Sequence, residues 1–174
     1  MKLLILDIDG VMTDGKKYYG LDGMPFAKTY CDKDFTAIKF LKASGMQVCF
    51  LSGDNKVNEN MAQNRNCDFY YARGRDKADF IEDFCKIYNV LPEDMAYVGD
   101  DLFDYNIMKS VGQCFCPSDA SSFVLALCEE SGNVIDRKAG QNVIARLVDI
   151  LLDRKIIKTV TLDEIEALDK NEKF

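Results

Sequence analysis

Short runs of almost purely apolar residues recur through this chain and limit what it can fold into. LLILD (3–7), QVCFL (47–51), DFYY (68–71), MAYV (95–98), GQCF (112–115) and GNVI (132–135) have the length and composition of strands. Between them the pattern turns helical. Phe35, Ile38 and Leu41 share one face, with Asp32 as the expected N-cap and Gly45 beyond the end. Ile81, Phe84, Cys85 and Tyr88 share a second face, and Val143, Leu147 and Leu151 a third. A strand that is apolar on both faces must be covered on both faces, and strands that alternate with helices imply a parallel sheet. The expected fold class is α/β, a Rossmann-like doubly wound parallel sheet.

Residues 16–31 break the alternation. Leu21-Asp22-Gly23 sits between KKYYG and MPFAKTY, and Asp-Gly between β-rich runs signals a hairpin. Beyond residue 153 the chain becomes highly charged. The expected organisation is one unit over 1–153, with a hairpin flap at 16–31, followed by a short exposed helix and frayed tail over 154–174.

Composition removes several function classes. The formal net charge of −7 disfavours nucleic acid and anionic membrane as partners. The absence of histidine excludes every Ser/His or Cys/His mechanism. Seven cysteines, an odd count with no CxxC pair, argue against a disulfide framework or a zinc site. No apolar run reaches the length of a membrane span, and the N-terminal apolar run is short and meets acid at once, so the cytoplasm is the expected location.

In a doubly wound sheet, ligands bind beyond the carboxyl ends of the strands. Four polar groups fall there: Asp7 and Asp9, Ser52-Gly53, Lys77, and Gly99-Asp100-Asp101 with Asp104 beyond. Two carboxylates ending a buried strand call for a cation, since burying unpaired negative charge is costly. Carboxylates for a hard cation, a hydroxyl donor and an ammonium are the parts of phosphoryl transfer. Mg²⁺ suits such a site, because a few carboxylates, water and phosphate complete its shell.

The order DIDGVMTDG, LSG, DK and GDDLFD resembles motifs one to four of the haloacid-dehalogenase-like (HAD) phosphohydrolases. The D-x-D-G-V-x-T-D-G form resembles the subgroup holding the phosphatases of 3-deoxy-manno-octulosonate (KDO) 8-phosphate and of acylneuraminate and ketodeoxynonulosonate (KDN) 9-phosphates. The resemblance implies a Mg²⁺-dependent phosphatase of a sugar-acid phosphate. It makes Asp7 a nucleophile that forms an aspartyl-phosphate, and Asp9 the acid that protonates the leaving oxygen and then activates water. Ser52 and Lys77 would bind phosphoryl oxygens. Asp7, the backbone carbonyl of Asp9 and Asp100 would hold the metal, with Asp101 and Asp104 orienting that shell. Asp14 lies past the turn and is expected only to fix the loop into the hairpin.

Relatives often carry a cap domain, for which the spacing here leaves no room, so no cap is expected. The resemblance implies a homotetramer in which the hairpin of one subunit helps close a neighbour's site, an expectation that the aromatic residues of the hairpin here (Tyr18, Tyr19, Phe26, Tyr30) support. Gly53-Asp54 replaces the Gly-Arg typical of the KDO 8-phosphate branch and resembles the 9-phosphate branch, with Arg65 as a basic companion. Arg73, Arg75 and Lys138 are candidates for a substrate carboxylate. A non-catalytic relative acting as an oligomerisation or regulatory module would be expected to lose Asp7 or Asp9, and both are present.

Overall fold

The computed structural model describes residues 1–54 and 56–173. The first strand, β1 (Leu3–Leu6), is buried along its whole length and lies between two parallel neighbours. After it come the hairpin strands β2 (Tyr18–Tyr19) and β3 (Pro25–Ala27), then α1 (Asp32–Ala43), β4 (Gln47–Ser52), α2 (Lys56–Asn64) and β5 (Asp68–Tyr71). The second half runs α3 (Ile81–Tyr88), β6 (Met95–Val98), α4 (Tyr105–Ser110), β7 (Gln113–Pro117), α5 (Ser122–Glu129), β8 (Val134–Ile135), α6 (Val143–Asp153) and α7 (Leu162–Asp169).

The main sheet is six-stranded and parallel, in the order β5-β4-β1-β6-β7-β8. The chain builds outward from β1 through β4 to β5, then returns to the other side of β1 and builds outward again. That reversal creates a crevice beyond the carboxyl ends of β4, β1 and β6. Alternate residues of β1 face opposite layers. Leu4 and Leu6 join Phe35, Ile38 and Leu41 of α1 and Ile144, Leu147 and Leu151 of α6 in one core. Leu3 and Ile5 join Phe80, Phe84, Ile107, Met108 and Val124 in the other. Asp7 continues the parity of Leu3 and Ile5.

Four details differ from the expectation. β7 begins one residue later than 112–115 and runs on to Pro117, and β8 is only the second half of 132–135, since Gly112 and Gly132 fall in the turns before them. Helices α4 and α5 are not among the helical faces read from the sequence. Residue 31, not Asp32, holds the N-cap position of α1, and Asp32 is its first helical residue, where an acid suits the helix dipole. Residues 161–173 of the C-terminal segment are held in place rather than frayed. Thr161 and Glu164 form a reciprocal cap on α7, and Lys39 pairs with Asp169 and Glu172. Among the described residues, no helix is long and apolar enough to cross a membrane.

Asp34, fully buried on α1, accepts hydrogen bonds at Oδ1 from the amides of Ile144 and Ala145, both 2.9 Å. It thereby caps α6 from another helix. Its Oδ2 is buried without a hydrogen-bond partner, and burial raises the carboxyl pKa against the opposing pull of those amides. Asp34→Ala should lower stability by about 2 kcal/mol in urea denaturation, through loss of the cap. Asp34→Asn keeps Oδ1 and removes the buried charge. Since the folded pKa is raised, ionisation disfavours the folded state, so the stability difference should move toward Asp34→Asn as the pH rises.

Candidate active site

At the end of β1 the chain leaves the sheet in a tight turn, in which the amides of Val11, Met12 and Thr13 all reach back to the carbonyl of Ile8. Ile8 is buried as the DxD pattern requires, and Asp7 and Asp9 open on the same cleft. Their partners differ. Asp7 Oδ1 accepts the Ile8 amide at 2.8 Å and pairs with Lys77 Nζ at 3.1 Å. Asp9 pairs instead with Lys28 Nζ at 2.7 Å and accepts Asn58 Nδ2 at 3.2 Å.

Lys77 opens a single 3₁₀ turn (Lys77–Phe80) that Asp76 caps by accepting the Ala78 amide. Its ammonium is buried, donating to Asp104 Oδ1 at 2.6 Å and to the Tyr97 hydroxyl at 3.0 Å. Tyr97 in turn donates to Asp104 Oδ1 at 2.7 Å. Burial works to lower the Lys77 pKa, but the carboxylates of Asp7 and Asp104 carry it above the ordinary lysine value. Asp104 Oδ2 accepts the amides of Asp100 and Asp101 at 2.9 and 3.1 Å, which fixes the loop after β6. Asp101 caps the following 3₁₀ turn through the Leu102 amide.

Carboxylate oxygens of Asp7, Asp100 and Asp104 lie within 4.8 Å of one another. Asp100 Oδ1 is buried without a hydrogen-bond partner. Burial, with the charges of Asp7 and Asp104 added, pushes Asp100 up to about 8. Asp7 is pushed up to about 7 by burial, against the attraction of Lys77. One ammonium does not neutralise this cluster, so a hard divalent cation fits it. Asp7 and Asp100 have oxygen to offer, whereas the hydrogen bonds of Asp104 mark it as a group that orients the others. Gly10 makes the approach possible: a Cβ there would stand 2.0 Å from Asp100 Oδ2, and its φ of +88° is a glycine conformation.

Ser52 ends β4 and is buried, its Oγ accepting from Asn58 Nδ2 at 3.0 Å and the Asp54 amide at 3.2 Å. Gly53, Asp54, Arg73 and Arg75 line the same cleft of about 1100 Å³. So do Tyr19, Met24 and Pro25 of the hairpin. Arg75 also stacks over Phe80, 4.2 Å from the ring centre. The carboxylate of Asp54, partly buried, is nonetheless held down to about 2 by Lys28 and Lys17.

Two expectations are corrected. Arg65 does not line the cleft. It binds Glu172 at 2.7 Å and stacks on Phe35 at 3.9 Å, because it lies just past the end of α2 and turns toward the C-terminal segment. Lys138 does not line the cleft either. The carboxylate of Asp9, whose backbone carbonyl and not its side chain was the expected metal ligand, lies outside the acidic cluster and pairs with Lys28. Asp14 behaves as expected, engaging the amide and ammonium of Lys16.

Sequence reasoning missed Lys17, Lys28, Asn58 and Tyr97. Lysines in a hairpin and an asparagine in a helix carry no local signal. For Tyr97 the signal was its hydroxyl within the otherwise apolar run MAYV, since a buried hydroxyl needs a partner.

No family model matches the chain. Among curated proteins, it is 30% identical over 153 residues to the 3-deoxy-D-manno-octulosonate 8-phosphate phosphatase KdsC of Yersinia pestis, covering 87% of this chain and 80% of that one. Among solved structures, a Legionella pneumophila protein assigned to subfamily III A of the HAD hydrolases superposes with a TM-score of 0.83 at 25% identity. That match covers 99% of this chain and 91% of the other. The cobalt-bound deoxy-D-mannose-octulosonate 8-phosphate phosphatase YrbI of Haemophilus influenzae gives a TM-score of 0.80 at 27% identity, over 88% of each chain. With that identity over most of its length, and with its acidic cluster at the strand ends, the chain belongs to the HAD superfamily, in the family of the 3-deoxy-D-manno-octulosonate 8-phosphate phosphatases.

Proposed function

We propose that this chain is a Mg²⁺-dependent phosphomonoesterase that hydrolyses an ulosonic-acid phosphate, KDO 8-phosphate first among them, in the cytoplasm. The observation that carries the reading is the Asp7–Asp100–Asp104 cluster closed by Lys77 at the floor of the cleft. The identity to KdsC supports the substrate. The odd cysteine count and lack of CxxC suit a reducing compartment.

When bound, the cation would lie against Asp7 and Asp100, with the Asp9 carbonyl as the third protein group proposed, and would offset the phosphoryl charge that this acidic chain otherwise repels. Lys77 and the Ile8 amide both engage Asp7 Oδ1, which leaves Oδ2 to attack phosphorus. The bond to the sugar oxygen breaks, and Asp9 gives that oxygen its proton. The product on the enzyme is an aspartyl-phosphate. Asp9, now a carboxylate, takes a proton from water as the water attacks phosphorus. The bond to Asp7 then breaks and inorganic phosphate leaves. Ser52 and Lys77 hold the phosphoryl oxygens during both displacements. Arg73 and Arg75 are the cations proposed to face the substrate carboxylate.

The hairpin residues Tyr18, Tyr19 and Phe26 are 57%, 60% and 67% exposed, which supports a homotetramer in which the hairpin meets a second copy. Asp54 supports a second substrate reading, the acylneuraminate or KDN 9-phosphates, because a carboxylate there can accept hydrogen bonds from hydroxyls.

With KDO 8-phosphate and Mg²⁺, phosphate release should exceed that from N-acylneuraminate 9-phosphate, and chelation should stop both. Asp7→Asn should lose activity by on the order of 10³-fold or more. Turnover that survives Asp7→Asn would sink the mechanism, while faster release from the 9-phosphate would move the substrate only. Gly10→Ala, by displacing Asp100, should weaken Mg²⁺ binding by about 10- to 100-fold in calorimetric titration. Sedimentation should find a tetramer, and a fully active monomer would overturn that assembly.

A further inference from the structure

Lys28 follows the return strand of the hairpin, and its side chain is fully buried. Its ammonium has three acceptors: Asp9 Oδ2 at 2.9 Å, Asp54 Oδ2 at 2.7 Å and Asn58 Oδ1 at 2.8 Å. Three acceptors exhaust the donors of an ammonium. Asn58, fully buried on α2, hands the arrangement on, donating to Asp9 Oδ2 and to Ser52 Oγ. Tyr30 adds a hydroxyl to Asn58 Oδ1 at 3.1 Å. Lys17, at the other root of the hairpin, lies 3.0 Å from Asp54 Oδ2 and 3.5 Å from Asp9 Oδ2.

We infer that Lys28 is the positioning residue of the acid/base carboxylate, and that Asp54 is its anchor. The inference rests on the reading of Asp9 as general acid and base. Asp9 sits on a turn beyond the end of β1, outside the sheet ladder, so its side chain needs an external brace. Lys28 supplies the brace and Asp54 fixes Lys28. With Asp9 as the carboxylate that activates water, two lysines against two carboxylates leave this corner electrically balanced. The acid at position 54, which by itself would repel a sugar-acid carboxylate, is thereby neutralised from within the chain. The same contacts hold both roots of the hairpin against the cleft, so hairpin placement and Asp9 placement are one event.

The test uses leaving groups of different basicity. A nitrophenyl phosphate leaves without protonation, whereas a primary sugar phosphate needs the acid. Lys28→Met should reduce kcat on the sugar phosphate by about 10²-fold, the scale of general acid catalysis, and on nitrophenyl phosphate by less than about 10-fold. KM should stay within about 3-fold on both, and Lys28→Arg should recover much of the loss. Asp54→Asn, a milder change if Lys28→Met folds poorly, should give the same selective loss at smaller amplitude. An equal loss on both substrates, a change confined to KM, or no loss would overturn the inference. Asp9→Asn run in parallel separates the two readings. If Asp9→Asn itself shows no leaving-group selectivity, the acid role of Asp9 fails; if it does and Lys28→Met does not, only the role of Lys28 fails.

Discussion

Lys77 holds an ammonium in a place only 6% exposed, and the carboxylates of Asp7 and Asp104 at 3.1 and 2.6 Å make that position tenable. A lone buried ammonium would shed its proton, and two lone buried carboxylates would take protons up. Together they stabilise one another, and the Tyr97 hydroxyl closes the triangle at 3.0 and 2.7 Å. The amides of Asp100 and Asp101 then hang from the far oxygen of Asp104, so the geometry of the loop after β6 descends from the same ammonium. Three strand ends that are distant in sequence are thus tied at one point. A surplus of negative charge remains there, and it suits a divalent cation.

The sheet was legible in the sequence because its strands are buried on both faces and therefore read as continuous apolar runs. Asp7, Ser52, Lys77 and Asp100 were legible because chemistry in this architecture collects at strand ends, and each lies within a few residues of one. Asn58 and Lys28 were not, since what makes them important is a partner 49 residues away in one case and 19 in the other. Arg65 misled for the complementary reason. Spacing along a helix gives a distance from the motif but not a direction, and this side chain turns to Phe35 and Glu172. Residue 31 at the start of α1 carries no capping hydrogen bond, so the expected Asp32 cap was one residue out.

Opposite charges are distributed around the cleft rather than spread evenly. The floor is acidic around Asp7 and Asp100, Asp9 and Asp54 on one wall are balanced by Lys17 and by Lys28 buried behind them, and Arg73 and Arg75 also line the cleft. An overall charge of −7 is therefore compatible with an anionic ligand, because the local field differs from the global one.

The hairpin tip has a meaning for how such a chain can diversify. The turn is closed by the Gly20 amide on the Met24 carbonyl at 2.9 Å, with Leu21 wholly in solvent and open space around Gly23. The roots, by contrast, are clamped by Lys17 and Lys28. Extra residues spliced into the tip would hang over the cleft while leaving the clamps, and with them the reacting groups, undisturbed. Selectivity could thus be rewritten by lengthening one loop, with the chemistry below inherited unchanged.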